Sequence, residues 1–273
     1  MSYCLFSELY EILILPPCDE KFRRMDILFD GFKSGTAKLN HDTEIHPIET
    51  PSYLGICKVV AGAKVPKRRN LGTDEGRKIL LHAVAHIEYS AIDLALDHAY
   101  RFRNLPIEYY HDWLLTAIEE KKHFLMLQNL LHDLGSYYGE YSVHDGLFLA
   151  GARSAHDLAM RMAAVPRYME ANGLDAHPQI RQKLSGFNDD FARKILNTLQ
   201  TIEEEEVAHV ARGNRWFEFA CAQQGYSQSD FIDLVAQAVP GAKFERKTMN
   251  LQARLKAGFS QEELDRVFLS NNA

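Results

Sequence analysis

Two copies of Glu-x-x-His stand in this chain, Glu120-Lys121-Lys122-His123 and Glu206-Val207-Ala208-His209. On an α-helix, positions i and i+3 lie about 60° apart and roughly one turn along the axis. Each pair therefore offers a carboxylate and an imidazole on one helical face. A glutamate also stands upstream of each pair, Glu88 for the first and Glu170 for the second. One Glu from each of two helices, with Glu-x-x-His from each of the other two, is the donor set of a dinuclear metal centre inside a four-helix bundle. Glu120 and Glu206 are the expected bridging carboxylates.

Oxygen donors with imidazole nitrogen suit iron or manganese, whereas a structural zinc site favours thiolates. The expected cofactor is two divalent ions, iron ahead of manganese or zinc. Four carboxylates in an apolar core would be very costly without compensating charge. Two divalent cations would offset that charge directly.

The elements that must position these residues are legible as apolar stripes. Leu81, Val84, Glu88, Ala91, Ala95 and Phe102 share a face of a helix expected over 74–102, opened by Thr73-Asp74-Glu75 and closed before Pro106. Trp113, Ala117, Glu120, Phe124, Leu127, Leu131 and Leu134 alternate steps of four and three on a helix expected over 107–134. Gly135 to Gly151 reads as a long crossover. A third helix is expected over 152–171, loosened at Pro166 and stopped at Asn172-Gly173. A fourth, starting at 178 or 188 and ending near 222, carries Ile195, Leu199, Ile202, Glu206, His209, Gly213, Trp216 and Ala220 on its seam.

The sequence thus predicts an all-α fold in three parts. Residues 1–72, broken by prolines, form an irregular arm with one or two short helices. Residues 73–225 form the four-helix bundle with its crossover. Residues 226–273 form a helical tail with amphipathic pieces near 228–238 and 260–269. Glu170 is the weakest ligand by spacing, because it follows Pro166, and Asp157 is the alternative for its role. His82 and His86 point about 120° and 160° away from Glu88 on the same helix, which favours packing or supporting roles. Tyr89, Tyr109, Tyr137, Tyr138 and Tyr168 carry no spacing signal that separates a redox role from ordinary core packing.

Composition limits the alternatives. The 273 residues are 46% hydrophobic and 25% charged, ordinary values for a globular chain. A net charge of −6 does not point to nucleic acid, and the one tight basic cluster, Lys64, Lys67, Arg68 and Arg69, reads as a solvated loop. Cys4, Cys18, Cys57 and Cys221 form no C-x-x-C and read as free thiols of a reducing, cytoplasmic protein. No secretory signal or membrane span is expected. Neither a phosphate-binding glycine loop nor a G-x-S-x-G element is present.

The blocks HAVAHIEYSAIDLALDHAYRF, DWLLTAIEEKKHF, RMAAVPRYMEANGLDAHP and EEEVAHVARGNRWF resemble the DUF455 family of ferritin-like proteins, as do the approach VPKRRNLGTDEGR and the later NLQARLKAGFS. The resemblance spans roughly residues 52–258. It implies a ferritin-like four-helix bundle and places the metal ligands at Glu88, Glu120, His123, Glu170, Glu206 and His209, which favours Glu170 over Asp157. The implied bundle is similar to that of the diiron tRNA hydroxylases, an analogy of fold that carries no substrate.

The expected function is a dinuclear, O₂-dependent oxidoreductase that hydroxylates an organic substrate, small or macromolecular, with an external electron donor. It would act as a monomer or dimer. The rival readings are a non-catalytic or iron-handling metal protein, and a metal-free helical adaptor with both Glu-x-x-His pairs facing solvent.

Overall fold

The computed structural model describes residues 2–244 and 249–269, and the parts of the predicted tail at 245–248 and 270–273 lie outside the described residues. The chain is mostly helical and divides into two compact units, residues 1–148 and 149–273.

In the first unit, α1 (Leu5–Leu13) and α2 (Asp19–Lys33) precede two long helices, α3 (Asp74–Arg101) and α4 (Ile107–Asp133). Helix α3 starts where Thr73 caps it, the side chain accepting from the Gly76 amide at 3.1 Å, with Asp74 and Glu75 in the first turn. A short connector with Asn104 in the left-handed region and Pro106 at the next helix start returns the chain as α4 along α3. Helix α4 ends in a Schellman turn: Gly135 (φ 67°) donates to His132 O and Ser136 to Leu131 O. Helix α1 packs on α3, and α2 on both α1 and α4.

An ion pair made by a buried lysine also ties α2 to α3. Lys21 of α2 is fully buried and donates to Asp93 Oδ1 of α3 at 2.7 Å, to Leu15 O at 2.9 Å and to Ser52 Oγ at 3.3 Å. Ser52 donates to Asp93 Oδ2 at 2.5 Å and meets the Tyr89 hydroxyl at 2.6 Å. Two short strands, β1 (Tyr3–Cys4) and β2 (Ala37–Lys38), pair in parallel with Tyr3 opposite Ala37. Helix α3 is long and apolar enough to cross a membrane by composition, yet it is largely buried and reads as a core helix, not a clear span.

A short helix, α5 (Gly146–Arg153), ends the predicted crossover. In the second unit the predicted third helix is three segments: α6 (Leu158–Met162), a π-helical stretch (Ala163–Glu170) and α7 (Ala171–Leu184). Asp157 caps α6, its carboxylate accepting from the Met160 amide at 2.8 Å. The π register absorbs Pro166, which lacks the donor an α-helical turn requires. The stop predicted at Asn172-Gly173 is absent. Ala171, Leu174, Asp175 and His177 are buried, and that tertiary packing outweighs the glycine. Pro178 lies inside α7, and the carbonyl it leaves at Leu174 receives the Asn250 side chain at 3.4 Å.

Helix α8 (Asp190–Gln224) is capped by Asp189 and ended by Gly225 (φ 78°). The later of the two predicted starts holds, because residues 178–184 belong to α7. Helix α8 packs against α6, the π segment and α7. The tail forms α9 (Phe231–Ala238), α10 (Leu251–Lys256), which the sequence pattern does not reveal, and α11 (Gln261–Leu269). Buried Arg167 holds it: Nε donates to Asn214 Oδ1 at 2.8 Å, the guanidinium stacks on Phe217, Phe231 and Phe259, and it pairs with Glu263.

Candidate metal centre

Every predicted seam residue of α3 and α4 except Phe102 and Leu134 is buried, and so is every one on α8. Burial is simple for the leucines and alanines. For the acids it demands an account.

In the first unit, Glu88 is 3% exposed, Glu120 1% and His123 0%. Their donor atoms lie within 4.8 Å of one another. His123 Nδ1 stands 3.3 Å from Glu88 Oε2 and 3.4 Å from Glu120 Oε2. Burial opposes a charge on His123, but the Glu120 and Glu88 carboxylates outweigh it and push the imidazole up to about 11. A cation is what this group of atoms favours, and without a metal the proton on His123 supplies one. One positive charge against two carboxylates leaves a net negative charge in the core, which a divalent ion in place of that proton would neutralise.

The second unit carries the other pair. Glu206 is buried, alone among the acids 203–206. His209 is fully buried, with Nδ1 3.4 Å from Glu206 Oε1. Glu170 closes the π segment, with its Oε2 buried although the residue as a whole is only partly so. The π segment lies hard against α8: a Cβ on Gly213, one turn beyond His209, would stand 2.4 Å from Pro166 Cβ. Asp157, the alternative to Glu170, is committed elsewhere. Besides capping α6 it accepts from the Tyr226 hydroxyl at 2.8 Å. Buried Glu88, Glu120 and His123 in the first unit, and Glu206 in the second, are donors that could hold a metal ion.

The remaining histidines of α3 serve the loop after α4. His82 Nε2 accepts from the Gly139 amide at 2.9 Å. His86 meets His144 O at 3.0 Å through Nε2, which must donate, so Nδ1 accepts from the Tyr138 hydroxyl at 2.9 Å. Burial lowers both imidazoles to about 4, so both are neutral. Tyr89 is tied to Ser52, Tyr109 donates to His98 O, and Tyr168 donates to Lys243 O while accepting from its amide. Tyr137 is exposed. The Lys21–Asp93 pair is what sequence reasoning misses here. Lys21 stands in a polar run, Asp-Glu-Lys-Phe-Arg-Arg, and no local signal separates it from a surface lysine.

A family profile described as "Protein of unknown function (DUF455)" matches residues 15–265. A Haemophilus influenzae relative described as "Uncharacterized protein" is 35% identical over 258 residues, covering 91% of this chain and 88% of the relative. No solved structure matches the chain at a significant level.

Proposed function

The chain belongs to the DUF455 family, whose description assigns no activity, and we propose that it is a dinuclear metal oxidoreductase of ferritin-like architecture that uses O₂ to hydroxylate an organic substrate. In this reading residues 73–225 form the four-helix bundle, flanked by the arm 1–72 and the tail 226–273. The observation that carries it is the repeated buried pair. Twice a helix seam places a glutamate and the histidine three residues on in the core, Nδ1 to carboxylate at 3.4 Å, and in the first unit Glu88 adds a second carboxylate 3.3 Å from the same imidazole.

Glu88, Glu120, His123, Glu170, Glu206 and His209 would hold the two ions. Glu120 and Glu206 are buried on the seams of α4 and α8. When bound, such a pair supplies O₂ activation. The chain supplies the rest. Carboxylates set the charge of the pair, and His123 gives up its proton on metal binding. The leucines and aromatics of the seams keep bulk water out. No glycine-rich dinucleotide loop is present in the sequence, so the reducing equivalents would come from an external donor. Four free thiols accord with a reducing, cytoplasmic setting.

The test is metal content by mass spectrometry on untagged protein, then anaerobic Fe(II) loading and exposure to O₂. About two metal ions per chain, as the six-ligand set requires, with a new absorption band on oxidation is the expected result. Metal uptake with no O₂ consumption would leave a metal-handling protein. No uptake of Fe(II), Mn(II) or Zn(II) would overturn the reading.

A further inference from the structure

The net charge of −6 conceals an uneven distribution. Residues 56–80 hold seven Lys and Arg against two acids, Asp74 and Glu75. Five of those cations, Lys58, Lys64, Lys67, Arg68 and Arg69, are exposed. None of the five takes part in an ion pair among the described residues. An acidic chain thus carries a strongly basic loop at the start of α3.

Chain geometry brings this loop against the segment after α4. Val143 donates to Lys58 O at 3.0 Å and accepts from Val60 at 2.8 Å. The Tyr141 hydroxyl donates to Glu75 at 3.0 Å, beside the point where Gly76 abuts the carbonyls of Arg69 and Asn70. From Tyr141 a row of packed rings leads inward. Tyr141 to His82 is 5.4 Å between centroids, His82 to Tyr138 5.3 Å and stacked, and Tyr138 to Phe124 5.1 Å. Phe124 is the residue after His123. Tyr89, 5.4 Å from Phe124, is the residue after Glu88.

We infer that the 58–69 loop docks an acidic electron-transfer protein of the iron–sulfur class, and that the Tyr141–His82–Tyr138–Phe124 row is the route by which its electron reaches the metal ligands. This rests on the dinuclear reading of Glu88, Glu120 and His123. Charge complementarity selects an acidic partner, since a basic rim steers an acidic protein to one face and orients it there, and the dinuclear reading requires that partner to carry single electrons, as an iron–sulfur cluster does. In each encounter the donor's cluster is oxidised by one electron and one oxidised metal ion gains it. No bond is made or broken. Two encounters would reduce a metal pair.

The probe is an acidic plant-type [2Fe–2S] ferredoxin, titrated onto the full-length, metal-free chain and read by fluorescence anisotropy. Saturable binding at about 20 mM salt, weakened roughly tenfold or more at about 200 mM, is expected for an interface held by exposed charges. The combined Lys67→Glu, Arg68→Glu and Arg69→Glu variant should bind roughly tenfold or more weakly at low salt, and Lys183→Glu, on the second unit, normally. Absent binding at low salt, or unchanged binding by the triple variant, overturns the docking site. So does tighter binding of a single-stranded RNA that the same variant abolishes. Because this readout needs no metal, its failure is separable from failure of the metal centre. With metal loaded, Tyr138→Leu should leave docking intact and slow reduction at saturating ferredoxin; an unchanged rate overturns the route.

Discussion

Gly213 and Pro166 touch across the second unit so closely that a Cβ on Gly213 would lie 2.4 Å from Pro166 Cβ and 2.8 Å from its Cγ. The contact joins the turn after His209 to the π segment that ends in Glu170. Pro166 is a rigid ring in a buried stretch and cannot swing aside as a long side chain would. Gly213→Ala is therefore expected to push the π segment off α8, costing about 1–3 kcal/mol despite the better helix propensity of alanine. Urea denaturation reads the stability, and a metal titration reads the second consequence, a weaker hold on metal as Glu170 is displaced. Equal stability and equal metal affinity would show that the close approach has no bearing on the site.

Removing a ligand should remove metal before it removes the fold. Glu120→Ala and His209→Ala are each expected to lower metal content measured by mass spectrometry, with little change in far-ultraviolet circular dichroism. Buried ligands rarely substitute for one another, so the loss should be well beyond a fewfold change in affinity. Full metal occupancy in both variants would end their assignment as ligands.

What the sequence reveals and what it hides divide along physical lines. Seams with a 3.6 period report the face that a helix buries, so the pattern puts Glu88, Glu120, Glu206 and His209 on apolar stripes and His123 on the same face as Glu120, and the structure buries all five. Glu170 is harder because its helix changes period: a π stretch around Pro166 disrupts the 3.6 pattern that would have placed it. The false stop at Asn172-Gly173 arises from local propensity, which Leu174 and His177 overrule by burial. Lys21 is invisible because its partner, Asp93, stands 72 positions away. Long-range charge pairs leave no mark on local pattern.

Acid should destabilise the chain through His82. The folded imidazole, lowered by burial to about 4 from its ordinary 6.5, resists the proton that the unfolded chain accepts. Its contribution is fully present above about pH 6.5 and is lost as pH falls from there towards 4. The span corresponds to at most roughly 3 kcal/mol. His123 acts in a different window. Raised to about 11 in the metal-free chain, its contribution is complete below about pH 6.5 and is lost as pH rises towards 11. Between pH 6.5 and 4 the two do not interfere. His82→Gln should flatten the loss of stability between pH 7 and 5 relative to the parent chain, measured by urea denaturation. An identical slope in the variant would mean that His82 is protonated alike in both states.

The Lys21–Asp93 pair sets a sharper test of how α2 is held to α3. Lys21 is wholly buried, and each of its three protons has an acceptor, in Asp93, Ser52 and the Leu15 carbonyl. Replacing it with methionine keeps the volume and removes the charge. Asp93 would then keep the Ser52 hydroxyl but lose its cation in a largely buried setting, a change that costs up to about 3 kcal/mol, the lower end for fully buried pairs, because Asp93 is 19% exposed. Asp93→Asn alone strands the lysine at a similar cost. The double variant Lys21→Met, Asp93→Asn strands neither, so it should be more stable than the sum of the two single losses predicts. A double-mutant cycle in urea would read this as a coupling of about 1–3 kcal/mol. Tyr89 shares Ser52 with the pair and directly follows Glu88, so metal affinity should fall in the single variants and recover in the double. A coupling near zero would mean that α2 is held by its apolar face alone, through Phe22, Met25 and Leu28.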